Sequence, residues 1–311
     1  MRFAKYGVSH NWTDPVIRRW HKGFQGFHAP VTLGIMKRQA AETGSTLICA
    51  FEGWNDACQA ATDAVRHLVN RYESREVRHI DGDGYYDYQS TRPIVCHATG
   101  RRRIIWPQTT FYELTVVPGR RLYAQIAPEP NYHWREYCQE TLRIADELDV
   151  TRIVTLGSMF ADCPHTRDLP VDMEDGDETA DPDRRYSGPV GIPTILDATA
   201  GEDGFDTTSM WVSIPQYLGD GDCAQATMQL LDELSRTLSI PLDLGDLPRK
   251  ADEWKAKAGV LTQCNDALAQ YVRRLEQQHD RDERARREAS LGGPACEQLV
   301  KEAEAFLKDL G

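Results

Sequence analysis

The run TLICAFEG at residues 46–53 is apolar, of strand length, and ends in glycine. Directly after it, from Asp56, apolar residues recur at helical spacing at Ala60, Ala64, Val65, Leu68 and Val69. A buried strand feeding an amphipathic helix is half of a crossover unit, and EVRHID at 76–81 supplies the second strand. The arrangement recurs: RLYAQIA at 121–127 precedes an amphipathic helix at 134–150, and RIVTLGS at 152–158 again ends an apolar run near glycine. TILDATA at 194–200 is expected to be helical, SMWVSIP at 209–215 a strand, and 222–239 a helix. Strands alternating with helices predict a three-layer α/β/α core around a mostly parallel sheet.

Three stretches break that alternation. Residues 1–44 are irregular, with scattered aromatics such as Trp12, Trp20 and Phe27, and are expected to wrap the core. Between 82 and 118, PIVCHA, RRIIW and TTFYELTVV predict a β insertion of successive antiparallel strands. The segment opening VDMEDGDE carries seven carboxylates between Asp172 and Asp183 and reads as an exposed, mobile loop. Beyond IPLDLGDLP only helical pattern remains, broken at SLGGPA, 290–295. The chain therefore divides into an α/β core over 1–245, with its insertion at about 82–118, and a small helical domain over 246–311.

With 311 residues the chain is long enough to bury a large core without disulfides or metals. Its net charge of −12 argues against a nucleic-acid binder, because phosphate recognition needs a concentrated basic surface. The eight cysteines never form Cys-x-x-Cys and several lie in apolar runs, which fits free thiols in a reducing compartment. No basic-then-apolar leader and no apolar run of about 20 residues is present, so a cytoplasmic protein without a membrane segment is expected.

In open α/β sheets, ligands meet the turns that follow the strands. Here these are Gly53-Trp54-Asn55-Asp56, then 128–134 with Glu129, then Ser158, Cys163, His165 and Arg167, and finally Pro215-Gln216-Tyr217. Each has two readings. Asp56 suits an N-cap and Gly53 a tight turn, or both line a ligand site. Glu129 between prolines either opens a loop or serves as a base or hydroxyl acceptor. Ser158 or Cys163 with His165 as base is a nucleophilic pairing, but no Gly-x-Ser-x-Gly elbow supports it, and a histidine near an arginine is commonly an interface residue.

DGDGYYD (81–87) and GDGD (219–222) lack EF-hand spacing and read as turns, so no metal site is expected. Without a Gly-x-Gly-x-x-Gly or P-loop pattern, no cofactor is expected either. Arg101-Arg102-Arg103 lies on the β insertion, where such charge protects a strand edge or faces an acidic partner. The mixed-charge helix at 271–288 reads as solvated.

Taken in order, FEGWNDA, DYQSTRP (87–93), WP (106–107), PEPNYHW (128–134), GSMFADCPHTR (157–167) and CEQLVKEAEAFLKDL (296–310) resemble the proteasome assembly chaperone 2 family, in its bacterial branch with a helical C-terminal extension. The resemblance runs from about residue 45 to the end. It implies a core similar in topology to purine nucleoside phosphorylases, an antiparallel insertion used to form a homotrimer, and a helical lid, 246–311, over a ligand cleft. It also points to a proteasome-related protein as partner. Since the family has no settled catalytic residues, a non-catalytic protein-binding or assembly-chaperone-like oligomer is expected. The alternative is an enzyme or binder of a nucleoside-like or peptide-like molecule in the cleft, with Gly53, Trp54, Asn55, Asp56, Glu129, His165 and Arg167 as its ligand-binding residues. Positions matching the family pattern further include Glu52, Arg92, Pro93, Pro130, Trp134, Pro164 and Thr166. Gln89, Cys58 and Asp168 depart from it.

Overall fold

A computed structural model describes residues 44–97, 100–175 and 188–291. A seven-stranded sheet has the order β2-β5-β6-β1-β7-β9-β8. Its strands are β1 (Ser45–Glu52), β2 (Glu73–Ile80), β5 (Thr109–Val117), β6 (Arg120–Pro128), β7 (Val150–Ala161), β8 (Val171–Asp175) and β9 (Asp206–Pro215). The central four, β6, β1, β7 and β9, are mutually parallel, while β5 and β8 run antiparallel to their neighbours and β2 runs antiparallel to β5. The crossover predicted from β1 to β2 is present, but β2 lands at the sheet edge with β5 and β6 between.

Helices cover both faces. On one side α1 (Ala60–Arg71) and α4 (Ala224–Leu238) bury Ala64, Val65, Leu68, Leu230 and Leu234 against Ile48, Val154 and Met210. On the other, α2 (Trp134–Glu147) and α3 (Ile192–Glu202) bury Tyr137, Leu142, Ile192 and Leu196 against Leu47, Phe51 and Ile153. Each fully buried Val, Leu, Ile, Phe or Met side chain among these contributes about 1.5–3 kcal/mol relative to exposure. β1 alternates between the two clusters, Ile48 and Ala50 facing one and Leu47, Cys49 and Phe51 the other, which is why it reads as a continuous apolar run. Two further helices follow: α5 (Leu247–Gln263) packs on α4, and α6 (Asp266–Leu291) packs on α5.

Three expectations need correction. TTFYELTVV is β5, a member of the main sheet; within 82–118 only β3 (Ile94–Cys96) and β4 (Arg103–Ile105) pair as a separate ribbon. Val171–Asp175 is an edge strand on β9 despite its carboxylates, because the side chains of Asp172, Met173 and Glu174 are all exposed at the sheet edge and the charges stay in water. The helix after β1 begins at Ala60, since a 3-10 turn at Ala57–Gln59 intervenes with Cys58 and Gln59 at φ of 54° and 56°. The expected wrapping by residues 1–43, most of the acidic loop, the part of the 290–295 break after Leu291 and the closing 296–310 run lie outside the described residues.

Candidate functional site

Because β6, β1, β7 and β9 are parallel and adjacent, the turns after them share one edge of the sheet. Gly53–Asp56 leaves β1 and Glu129 leaves β6, which keeps them close: the Glu129 amide donates to the Glu52 carbonyl at 2.9 Å. A Cβ on Gly53, whose φ is +121°, would meet the Glu129 Cβ at 3.4 Å. Glycine is therefore required here by conformation, while the space would admit a Cβ at van der Waals contact.

Asn55 is 1% exposed. Its Nδ2 donates to Glu129 Oε1 at 2.7 Å, and the same oxygen accepts the Ile192 amide at 3.0 Å. The turn after β1, the end of β6 and the first turn of α3 are thus tied through one carboxylate, placed where an anion suits a helix N-terminus. Asn55 Oδ1 is buried and receives no hydrogen bond. It faces Gly191, where an added Cβ would lie 2.1 Å from it.

Asp56 takes a different job. Its Oδ1 accepts the amides of Ala61 at 2.9 Å and Thr62 at 3.2 Å, and Oδ2 accepts the Thr62 hydroxyl at 2.5 Å. It caps α1 from across the 3-10 turn, so the capping reading holds, although the helix starts later than predicted. Burial pushes its pKa up, against the opposing pull of the Thr62 and Ala61 hydrogen bonds and the Arg66 charge. Ser158 lies within β7; its hydroxyl donates to the Ala57 carbonyl at 2.8 Å, which makes it a brace for the same turn.

His165 and Arg167 form a second group. His165 is 2% exposed; its amide and its Nδ1 both meet the Tyr217 hydroxyl, at 2.9 and 2.8 Å. Burial lowers its pKa, opposed by the Glu276 charge. Arg167 makes a bidentate pair with Asp280 of α6, Nε to Oδ1 at 2.9 Å and Nη2 to Oδ2 at 3.1 Å, and Thr166 donates to Glu276 at 2.5 Å. Tyr271 of α6 donates to Asp162 at 2.6 Å and meets Tyr217 edge-on. Cys163 is buried with its thiol pushed up to about 12, chiefly by desolvation, so it is a protonated core thiol at neutral pH.

The structure therefore joins Gly53, Asn55 and Glu129 in one knot, sets Asp56 beside it as a cap, and uses His165 and Arg167 to engage Tyr217 and α6. Trp54 is 68% exposed on the same edge. Sequence reading missed Gly191 and Ile192, for which Gly-Ile-Pro just before an apolar helical run was the available signal. It also missed Tyr217, Glu276 and Asp280 as partners of the 164–167 turn, since nothing local reveals pairings across more than a hundred residues. A cavity of about 170 Å³ lies apart from the Asn55 knot, lined by Cys58, Ile214, Leu218, Cys223, Trp254 and Leu261. Among the described residues no group of three or more His, Cys, Asp or Glu is placed to hold a metal ion, and no helix is long and apolar enough to cross a membrane.

Comparison with known proteins follows the same outline. The PAC2 family model matches residues 50–261. A crystal structure of a proteasome-assembly chaperone homologue of Mycobacterium tuberculosis is 33% identical, covering 73% of this chain and 99% of that one, with a TM-score of 0.67. A PAC2 family protein of Streptomyces avermitilis is 34% identical over 73% of this chain and 99% of that one, TM-score 0.66. An archaeal proteasome activator of Pyrococcus furiosus shares the fold at 14% identity, TM-score 0.56, over 70% of this chain and 93% of its own. No curated protein matches.

Proposed function

The chain belongs to the PAC2 family, and from that premise we propose that it works as a non-catalytic, assembly-chaperone-like oligomer that binds proteasome-related proteins and assembles as a homotrimer through its β insertion. The observation that carries this reading is the β3–β4 ribbon. Ile94, Val95, Ile104, Ile105 and Trp106 are between 45% and 65% exposed. In the pairing Ile94 stands opposite Ile105 and Val95 opposite Ile104, so both faces of the ribbon carry uncovered apolar side chains. Isolated two-stranded ribbons are marginal in water, and clustered exposed apolar residues mark contact surfaces.

The nucleophile and base candidates of the sequence support the same view. Ser158 donates to the Ala57 carbonyl, Cys163 to the Ser213 carbonyl, and His165 pairs with Tyr217, so neither nucleophile candidate is bonded to the histidine. The test is to mix the purified chain with unassembled proteasome subunits of the same organism and follow complexes by native mass spectrometry. A stoichiometric complex, weakened by Ile104→Asp, is expected. Absence of any complex and unchanged assembly kinetics would overturn the reading.

A second reading has one observation in its favour. Glu129 uses only Oε1 in its hydrogen bonds. An unused carboxylate oxygen at a sheet's carboxyl edge suits a small molecule that donates a hydrogen bond, with Gly53, Trp54, Asn55 and Asp56 completing the wall and the helices after residue 246 as a lid held by Thr166, Arg167 and Tyr271. Thermal-shift screening with nucleosides and short peptides, in parent and Glu129→Gln protein, decides it: stabilisation of the parent alone supports the cleft, and none for either removes it.

A further inference from the structure

The same molecule carries a second uncovered apolar surface. Trp54 is 68% exposed, Tyr132 52%, Phe160 43% and Met159 41%. Trp54 follows β1, Tyr132 follows β6, and Met159 and Phe160 lie near the end of β7, one on each face; these strands are neighbours in the order β6-β1-β7, so the four residues lie along one stretch of the carboxyl edge. Carboxylates border it. Glu129 has its Oε2 unused in any hydrogen bond; Asp162, which also accepts from Tyr271 and Gln216, is exposed after β7, and Asp220 and Asp222 are exposed in the loop between β9 and α4.

The ribbon has the opposite character. Arg101, Arg102 and Arg103 lead into its second strand, all exposed, and none pairs with a carboxylate among the described residues. On a chain of net charge −12, three adjacent arginines without an acidic partner are poised to meet an acidic surface. The ribbon and the carboxyl edge are therefore complementary in both respects: apolar side chains to apolar side chains, and arginines to carboxylates.

We propose that the β3–β4 ribbon of one copy seats on the carboxyl edge of a second copy, its apolar residues against Trp54, Tyr132, Met159 and Phe160 and its arginines against the bordering carboxylates. The proposal rests on the self-association reading and adds the receiving surface. A contact between two different surfaces runs head to tail, and it leaves no copy with an uncovered surface only when the ring closes. A second consequence is that each copy's Glu129 edge is completed by its neighbour's ribbon, so a ligand or protein partner reaching that edge meets residues of two copies.

The experiment places a photoreactive benzoylphenylalanine at position 95 of the full chain, irradiates it, and maps cross-linked peptides. Sedimentation equilibrium of Trp54→Glu, Phe160→Glu and the triple variant R101E/R102E/R103E accompanies it. Cross-links between copies to peptides holding Trp54 or Met159 and Phe160, with at least a tenfold weaker association for both sets of variants, are expected. The arginine contribution should also fade with added salt. Cross-links from ribbon to ribbon, with Trp54→Glu and Phe160→Glu associating like the parent, would overturn the receiving surface while leaving ribbon-mediated association intact. A parent that stays monomeric would overturn both. All the substituted side chains are exposed, so circular dichroism of each variant should match the parent.

Discussion

Asn55 Nδ2 lies 2.7 Å from Glu129 Oε1, and that single oxygen also receives the amide of Ile192 at 3.0 Å. Removing it strands two donors, one of them on a side chain 1% exposed. Glu129→Ala should therefore lower folding stability by about 3 kcal/mol, whereas Glu129→Gln, which keeps an acceptor, should cost about 1 kcal/mol. Urea unfolding followed by tryptophan fluorescence measures both.

Gly191 gives a steric test of the same knot. A Cβ there would sit 2.1 Å from Asn55 Oδ1 and 2.2 Å from its Nδ2, so Gly191→Ala must displace the amide. A loss of about 2–3 kcal/mol is expected. In the double variant Asn55→Ala/Gly191→Ala the clash is gone, and the two effects should be less than additive by at least about 1 kcal/mol. Additive losses would mean that the two residues do not touch.

How much of this was legible beforehand divides by range. β1, β6, β7 and β9 were readable because buried parallel strands are continuous apolar runs, and the helices were readable from their period. Asp56 as a cap was readable because capping is local. The fate of Asn55 was not, since its partner is 74 residues away and the helix it steadies is farther still. TTFYELTVV reads as part of the insertion because it follows the ribbon without a helix between; only the pairing of Tyr112 with Ala124 and of Arg78 with Phe111 places β5 in the main sheet. The 164–167 turn resembled a site for the same reason that it resembles a latch: histidine, threonine and arginine serve either.

The latch itself predicts local behaviour. Arg167 and Asp280 are each more than a third exposed, so their pair is screened by solvent and adds little to global stability. Arg167→Ala should leave the urea midpoint nearly unchanged while amide exchange in α6 quickens. Raised salt should produce the same quickening in the parent. Unchanged exchange in α6 would show that the pair does not hold the helix.

A pH dependence follows from His165. Burial lowers its pKa from 6.5, so above that value neither folded nor unfolded chain carries the proton, and as pH falls through 6.5 the unfolded chain takes it up first. Stability contributed by the neutral, buried imidazole is thus lost as pH falls. Asp56 has the opposite sign: its carboxyl is raised from 3.8, so its burial becomes less costly as pH falls toward that value. Between about pH 7 and 5 the histidine should dominate. Melting temperatures across that range should decline for the parent and decline less steeply for His165→Gln.

Trp54, at 68% exposed, separates fold from contact. Trp54→Ser should change unfolding stability at low protein concentration by no more than about 0.5 kcal/mol, as surface substitutions do. A larger loss in dilute protein would mean that the indole supports its own chain.

The most direct test of the central claim is the mass of the protein in solution. Sedimentation equilibrium should return three times the 35.2 kDa chain mass for the parent and a single chain mass for Ile104→Asp/Trp106→Ser. A monomeric parent, or a variant that retains the parent's mass, would contradict it.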